Sequence, residues 1–235
     1  MRIFAPLFAC TALLVASPCG ADDSDAAMMK ACPGLAAWAA KHHPAGGEST
    51  EQRDAHRQFS QPALRQDLIA RSASDQKARQ AYIIAGMRDE AASKAVQAVD
   101  ADNLSWLKAQ VAAHGFPTTE QVGEVGVMNA FLLVQHADTD HAFQAMVLKQ
   151  MQAQPAGGIP KSDIAMLTDR VLRAQGRPQR YGSQFGQKKD GSWVLQPTED
   201  LDHLERRRAA MDLMPMADYR CVMRAAYAPA RKPAA

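Results

Sequence analysis

The chain has 235 residues, a near-balanced formal charge of +2 with histidines neutral, and 47% hydrophobic residues. That length suits one domain with a sizeable core, the charge balance removes the electrostatic case for nucleic-acid binding, and the apolar fraction excludes wholesale disorder. Aromatic residues are sparse at 6% while alanine and methionine are plentiful, a mix that favours helix over sheet.

Residues 1–21 read as a secretory signal peptide. Arg2 supplies the positive start, Ile3 to Ala16 the apolar stretch, and cleavage is expected near Gly20 or Ala21, ahead of the acidic Asp22 and Asp23. The apolar run is too short for a membrane span, so no stable membrane insertion is expected once the leader is removed. A lipoprotein is the rival reading because Cys19 lies near the cleavage point, but Pro18 beside it and Phe8 near Cys10 fit a lipidation site badly. The expected location is periplasmic or secreted. Cys32 and Cys221 then remain as the two thiols of an exported chain, which predicts a disulfide between them. The chain-entropy account assigns such a long loop roughly 5 kcal/mol. Two separate buried thiols are the alternative.

In chain order, Asp25 to Lys41 is helical with a break at Pro33. His42, His43, Pro44 and Gly46 make a stop, and that histidine pair reads as solvated surface rather than a metal site. Thr50 caps a short helix to about Phe59, and Pro62 stands at the first position of the next. Ser72 to Asp75 reads as a break in that helix, and a charged run then leads to Asp100. Asp102 reads as the N-cap of a helix to His114, with Gly115 as its left-handed C-cap. Thr118 and Gln121 form a capping box for an apolar helix ending near His136. Gly123 and Gly126 weaken that helix by about 1 kcal/mol each, for which close approach by a neighbouring helix is the expected compensation. Asp138 or Asp140 caps the following helix, and Pro160 opens another that runs to Gly176. The period then changes: Arg180 to Phe185 and Ser192 to Leu195 flank Lys189-Asp190-Gly191, a hairpin signal. Asp200 caps a charged helix through Arg208, and Pro215 opens a last one containing Cys221. The fold class is mainly α, a compact multi-helix domain with one β-hairpin near residues 180–195.

The chemistry-bearing residues gather, on this reading, where the hairpin crosses helix ends: His136, Asp169, Arg170, Gln179, Tyr181 and Gln184, followed by the arginines 206–208. Arginine and glutamine in such a set suit an anionic or amide-bearing ligand, and Asp169 orienting His136 suits general acid–base chemistry. The bland alternative pairs Asp169 with Arg173 one turn on and gives the glutamines and tyrosine to backbone groups. Metal chemistry has little support, since His136 and Asp140 share no continuous helix and no HExxH or paired CxxC occurs. No cofactor is expected. No GxSxG nucleophile is present, and Gly123 to Gly126 lacks the remainder of a phosphate loop.

The strings QHAD at Gln135 to Asp138, LTDR at Leu167 to Arg170, PQRYGSQF at Pro178 to Phe185 and the RRR…LxP…Y run at Arg206 to Tyr219 resemble a bacterial family known only as a domain of unknown function. The likeness spans about residues 101–219. It implies that His136, Asp169, Arg170, Tyr181, Gln184 and Arg207 are family-defining; a helix would then point Arg206 and Arg208 away from the face that Arg207 occupies. The chain is thus read as the leader at 1–21, a helical segment at 22–100, a family-like domain with the hairpin at 101–227, and a Pro/Ala/Lys-rich disordered tail at 228–235. The expected function is an exported protein with a polar pocket. It binds a small ligand or a protein partner, or acts as a small hydrolase-like enzyme through His136 and Asp169.

Overall fold

A computed structural model describes residues 21–42, 47–188 and 192–227. The leader, His43 of the histidine pair, the Asp190-Gly191 turn and the tail beyond Tyr227 lie outside the described residues. The described residues divide into two compact units, one formed by those from 48 to 167 and the other by those up to 47 together with those from 168 onward. The fold is mainly α with a single two-stranded antiparallel sheet among the described residues.

In the first of these units, α3 (Thr50–Ala55), α4 (Pro62–Ile84), α5 (Glu90–His114), α6 (Thr119–Gln135) and α7 (His141–Ala153) pack around α6. Ser49, one residue before the expected Thr50, makes the capping box of α3 with Gln52. Helix α4 has Pro62 in its first turn, as expected, but does not break at Ser72 to Asp75. Both residues are buried there, on a stripe with Leu68 and Arg79, so packing overrides their weak helix preference. Helix α5 likewise begins well before Asp102. Its N-cap is Asp89, whose carboxylate accepts from Ala92 N–H at 2.7 Å, and Asp102 stands exposed in mid-helix. Gly115 ends α5 at φ 75°, and the Thr118–Gln121 box opens α6. Asp140 caps α7 through Phe143 N–H at 2.9 Å.

Helix α6 is the buried centre of its unit, with Val122, Val127, Ala130, Leu133 and Val134 essentially inaccessible. It is interrupted at Gly123, whose φ of 74° breaks the helical ladder. Groups from α3 and α4 repair that break. Asp54 accepts the N–H groups of Glu124 and Val125 at 2.9 Å each, and Arg65 donates to Val122 O at 2.6 Å and to Asp54 at 2.7 Å. A Cβ at Gly123 would lie 2.5 Å from the Asp54 carboxylate and 2.6 Å from the Arg65 guanidinium. The expected close approach is thus real at Gly123, whereas Gly126 packs chiefly on Val122 of its own helix.

The second unit contains α1 (Ala21–Ala31), α2 (Pro33–His42), β1 (Phe185–Gln187), β2 (Trp193–Leu195), α9 (Leu204–Ala210) and α10 (Met216–Ala226). Helix α8 (Lys161–Ala174) carries the chain from one unit into the other. Cys32, between α1 and α2, and Cys221, on α10, form a disulfide with Cα atoms 5.8 Å apart. In the hairpin Phe185 pairs with Leu195 and Gln187 with Trp193. The first strand therefore starts at Phe185, not Arg180. Residues 179–184 form a loop instead, with Gly182 at φ 70°. Asp200 leads into a 3-10 turn at Leu201–His203, but its carboxylate meets His203 Nδ1 and Arg207 rather than capping the backbone.

Candidate functional site

Two clusters of buried polar residues hold the side chains expected to act together, each built inside one unit. The first lies among α4, α5 and the end of α6. Position 136 is the C-cap of α6, which places the imidazole where that apolar helix stops. His136 Nδ1 is 2.8 Å from Asp75 Oδ2 and 3.0 Å from Oδ1. Arg79, one turn along α4, brings Nε to 3.1 and 3.2 Å from the same carboxylate and to 3.0 Å from His136 Nδ1. Its Nη2 donates to Asp100 of α5. Asp75 is 1% exposed, His136 7% and Arg79 8%, while the Asp100 side chain is 22% exposed.

The electrostatics of this cluster separate its two carboxylates. Burial works against charge on Asp75, but hydrogen bonding to His136 and attraction from His136 and Arg79 outweigh it and hold the group below the usual carboxylate range. At Asp100 burial prevails, and the nearby Asp75 and Asp138 add to it, so the carboxyl is pushed up to about 6 despite Arg79. An ionised Asp75 also settles the proton arrangement. With Nδ1–H donating to Asp75, both the histidine and the arginine serve one acceptor. With Nδ1 as an acceptor from Arg79, the short approach to the carboxylate would be repulsive. Asp75, Asp100 and His136 each offer a metal-ligand atom, all within 4.8 Å of one another. Arg79 already bridges the two carboxylates there, so a cation would have to displace a guanidinium.

The second cluster surrounds Asp169 in the last turns of α8. Its Oδ1 accepts the N–H groups of Arg180 and Tyr181 at 2.6 and 2.9 Å, and its Oδ2 accepts the N–H and hydroxyl of Ser183, both at 2.9 Å. Burial nonetheless pushes this carboxyl up, against those donors. Gln179 donates to Gln184 O and Gln196 O and accepts from Gln184 N–H. Gln184 turns its amide to Ser183 Oγ. Arg207 donates to the carbonyls of Arg180, Glu199 and Asp200. Arg208 donates to Met214 O and Tyr181 O, and Tyr219 donates to Ser183 O. Apart from Gln184, whose amide meets the Ser183 hydroxyl, each of these side chains bonds the backbone of the 179–184 loop or its flanks.

The residues expected to converge are therefore placed in two groups. Asp169, Gln179, Gln184 and Arg207 meet around one loop, as does the Tyr181 backbone, while the Tyr181 phenol is half-buried with its pKa raised by burial. Arg170 is buried on α8. The carboxylate that meets the His136 imidazole is Asp75 rather than Asp169. Arg208, which the sequence reading turned away, is the buried arginine of its helix at 1% exposure, and Arg207 is the half-buried one. The alternative pairing of Asp169 with Arg173 is not made either, since Arg173 donates to Arg177 O.

Asp75 and Arg79 were missed because the break assigned at Ser72 to Asp75 concealed their register, and Asp100 because the helix start assigned at Asp102 left it outside α5. Leu68, Ser72, Asp75 and Arg79 recur at helical spacing, as do Val96, Asp100, Asn103 and Leu107. Polar residues standing in an apolar register were the available signal.

A family described only as one of unknown function matches residues 62–232. The match begins at the first turn of α4 and so takes in Asp75, Arg79 and Asp100, within the segment the sequence reading had set outside the family span. No curated protein and no solved structure matches the chain.

Proposed function

The chain belongs to the family of unknown function DUF6624, and on that premise we propose that it is an exported protein whose His136–Asp75–Asp100 centre performs general acid–base chemistry on a small polar ligand. The observation that carries this reading is the His136 Nδ1 to Asp75 distance of 2.8 Å beside a carboxyl pushed up to about 6. An ionised Asp75 holds the imidazole by its Nδ1–H, so that Nε2 is the nitrogen that takes up and returns a proton. Asp100, the most exposed member of the cluster, changes between acid and base close to neutral pH, where proton transfer is most effective. Arg79 ties both carboxylates together and balances their charge. Export is supported by the Cys32–Cys221 disulfide and the apolar leader of the sequence.

The test is turnover of simple esters, amides and phosphoesters by the full chain, followed across pH. Activity should rise or fall through pH about 6 with the Asp100 carboxyl, lose that limb in Asp100→Asn, and fall by about 10²–10⁴-fold in His136→Gln, with the helical circular-dichroism spectrum retained. Turnover indifferent to both substitutions would overturn the reading. Detection of the leader-bearing chain in the cytoplasm alone would overturn export.

A further inference from the structure

Helices α1 and α2 have 11 and 10 residues, below the roughly 12–15 at which an isolated helix persists in water. Both pack on α10. Among the described side chains of residues 21–42, only Cys32, Leu35 and Ala39 are buried, and Trp38 is half-buried. Apolar burial on that scale does not offset the entropy lost in ordering the whole pair. The Cys32–Cys221 bridge supplies the remainder, by keeping the pair beside α10 whether or not it is docked.

The docking is nonetheless specific. Asp218, nearly one turn before Cys221 on α10, lies so close to Gly34 that a Cβ there would find no room. Its carboxylate thus stands against the first turn of α2, the end that favours negative charge. A different face of α10 is anchored without the pair. Tyr219 donates to Ser183 O at 2.9 Å and stands edge-on to Phe185, and Met223, one turn on, is buried. The family match starts at residue 62, so α1 and α2 lie outside the span that the family shares.

The two sulfurs differ in access. Cys32 is 1% exposed, whereas Cys221 is half-buried. An incoming thiolate therefore reaches Cys221 first, with Cys32 as the leaving group. We propose that α1–α2 is a redox-released strap, fastened to α10 by the bridge and freed by a dithiol reductant while residues from 48 onward stay folded. One thiolate of the reductant bonds to the Cys221 sulfur, the S–S bond breaks, and Cys32 departs as a thiolate that takes up a proton. The second thiol then displaces Cys221, so the reductant ends as a disulfide and both cysteines as thiols. The freed pair leaves α10, and reoxidation fastens it again.

Hydrogen exchange of the full chain, with and without dithiothreitol and without denaturant, tests this. Alkylation should find both cysteines free after treatment. Amides of α2 should then exchange about 100-fold faster or more, while those of α6 stay within about threefold of the oxidised chain. Cys221→Ser should show the fast α2 exchange with no reductant present. Leu35→Ala, with the bridge intact, should quicken α2 less than loss of the bridge does. A bridge that dithiothreitol opens only in denaturant would overturn the proposal. So would α2 amides still protected in the reduced chain, or α6 amides losing protection in step with α2. A larger effect from Leu35→Ala than from Cys221→Ser would show packing, not the bridge, to be the fastening and would overturn it too.

Discussion

Asp54 is a single side chain that closes a gap in the central helix, and its removal has a calculable cost. The side chain is 1% exposed, and it accepts from Glu124 N–H, Val125 N–H and Arg65. Asp54→Ala strands the two amides in a place where water does not replace the lost acceptor, at about 1–3 kcal/mol each. Arg65 loses its counter-charge but keeps Val122 O and the Phe59 ring, which limits its share. The total comes to about 3–5 kcal/mol, the range in which breaking a buried charge pair falls. Asp54→Asn retains one acceptor oxygen and should cost about half as much. The sign of the pH effect follows from the direction of the shift. Burial raises the Asp54 carboxyl, but the Val125 and Glu124 amides and Arg65 together bring it below the ordinary value. Its contribution is therefore complete above the unfolded carboxyl value of about 3.9 and is lost as pH falls through the lower folded value. Urea unfolding of the oxidised chain, followed by far-ultraviolet circular dichroism at pH 7 and again towards pH 3, measures both effects. Lys94→Ala, at a solvent-exposed pair with Glu90, serves as the reference and should stay within about 0.5 kcal/mol. An Asp54→Ala chain within about 1 kcal/mol of the parent, or a deficit that fails to shrink in acid, would refute the account.

Among the described residues Asp163, on the first turn of α8, has only the Ser162 hydroxyl at 3.4 Å beside its carboxyl, and burial pushes it up to about 7. A raised carboxyl destabilises the fold increasingly as pH climbs from the unfolded value of about 3.9 towards 7. Asp163→Asn should thus raise the melting temperature at pH 8 and leave it nearly unchanged at pH 4, and calorimetric scans at both pH values decide it. Asp169→Asn keeps one acceptor oxygen for a loop that uses both, so it should cost about 2–4 kcal/mol. Hydrogen exchange should quicken at the amides of Arg180, Tyr181 and Ser183; protection equal to the parent would contradict the anchoring role. Reducing the Cys32–Cys221 bridge, which spans a sequence separation of 189, should lower stability by up to roughly 5 kcal/mol, and non-reduced peptide mapping should recover the two cysteines linked.

Local chemistry carried much of the fold into the sequence. Pro62 before α4, the Thr118–Gln121 box, Gly115 at positive φ and Asp140 before Phe143 are each decided by groups within a few residues, so their meaning is legible without the rest of the chain. The family likeness and the Cys32–Cys221 pair were also present in the letters alone. Ser72, Asp75 and Asp102 misled because their local preference for helix ends was outweighed. The first two are buried under tertiary contacts, and the third is spanned by a helix that starts at Glu90, after the Asp89 cap. The same holds for the polar residues. That Asp169 and Gln179 belong with the 179–184 loop was within reach of sequence, because the groups lie close along the chain. That His136 meets Asp75 was not, because the two are 61 residues apart and meet only through the packing of α4 against α6. Sequence by itself determined which segments are helical, which cysteines pair and which side chains are costly to bury. Tertiary structure alone decided which partner each buried charge found, since that depends on the register of one helix against another, a quantity no local preference specifies.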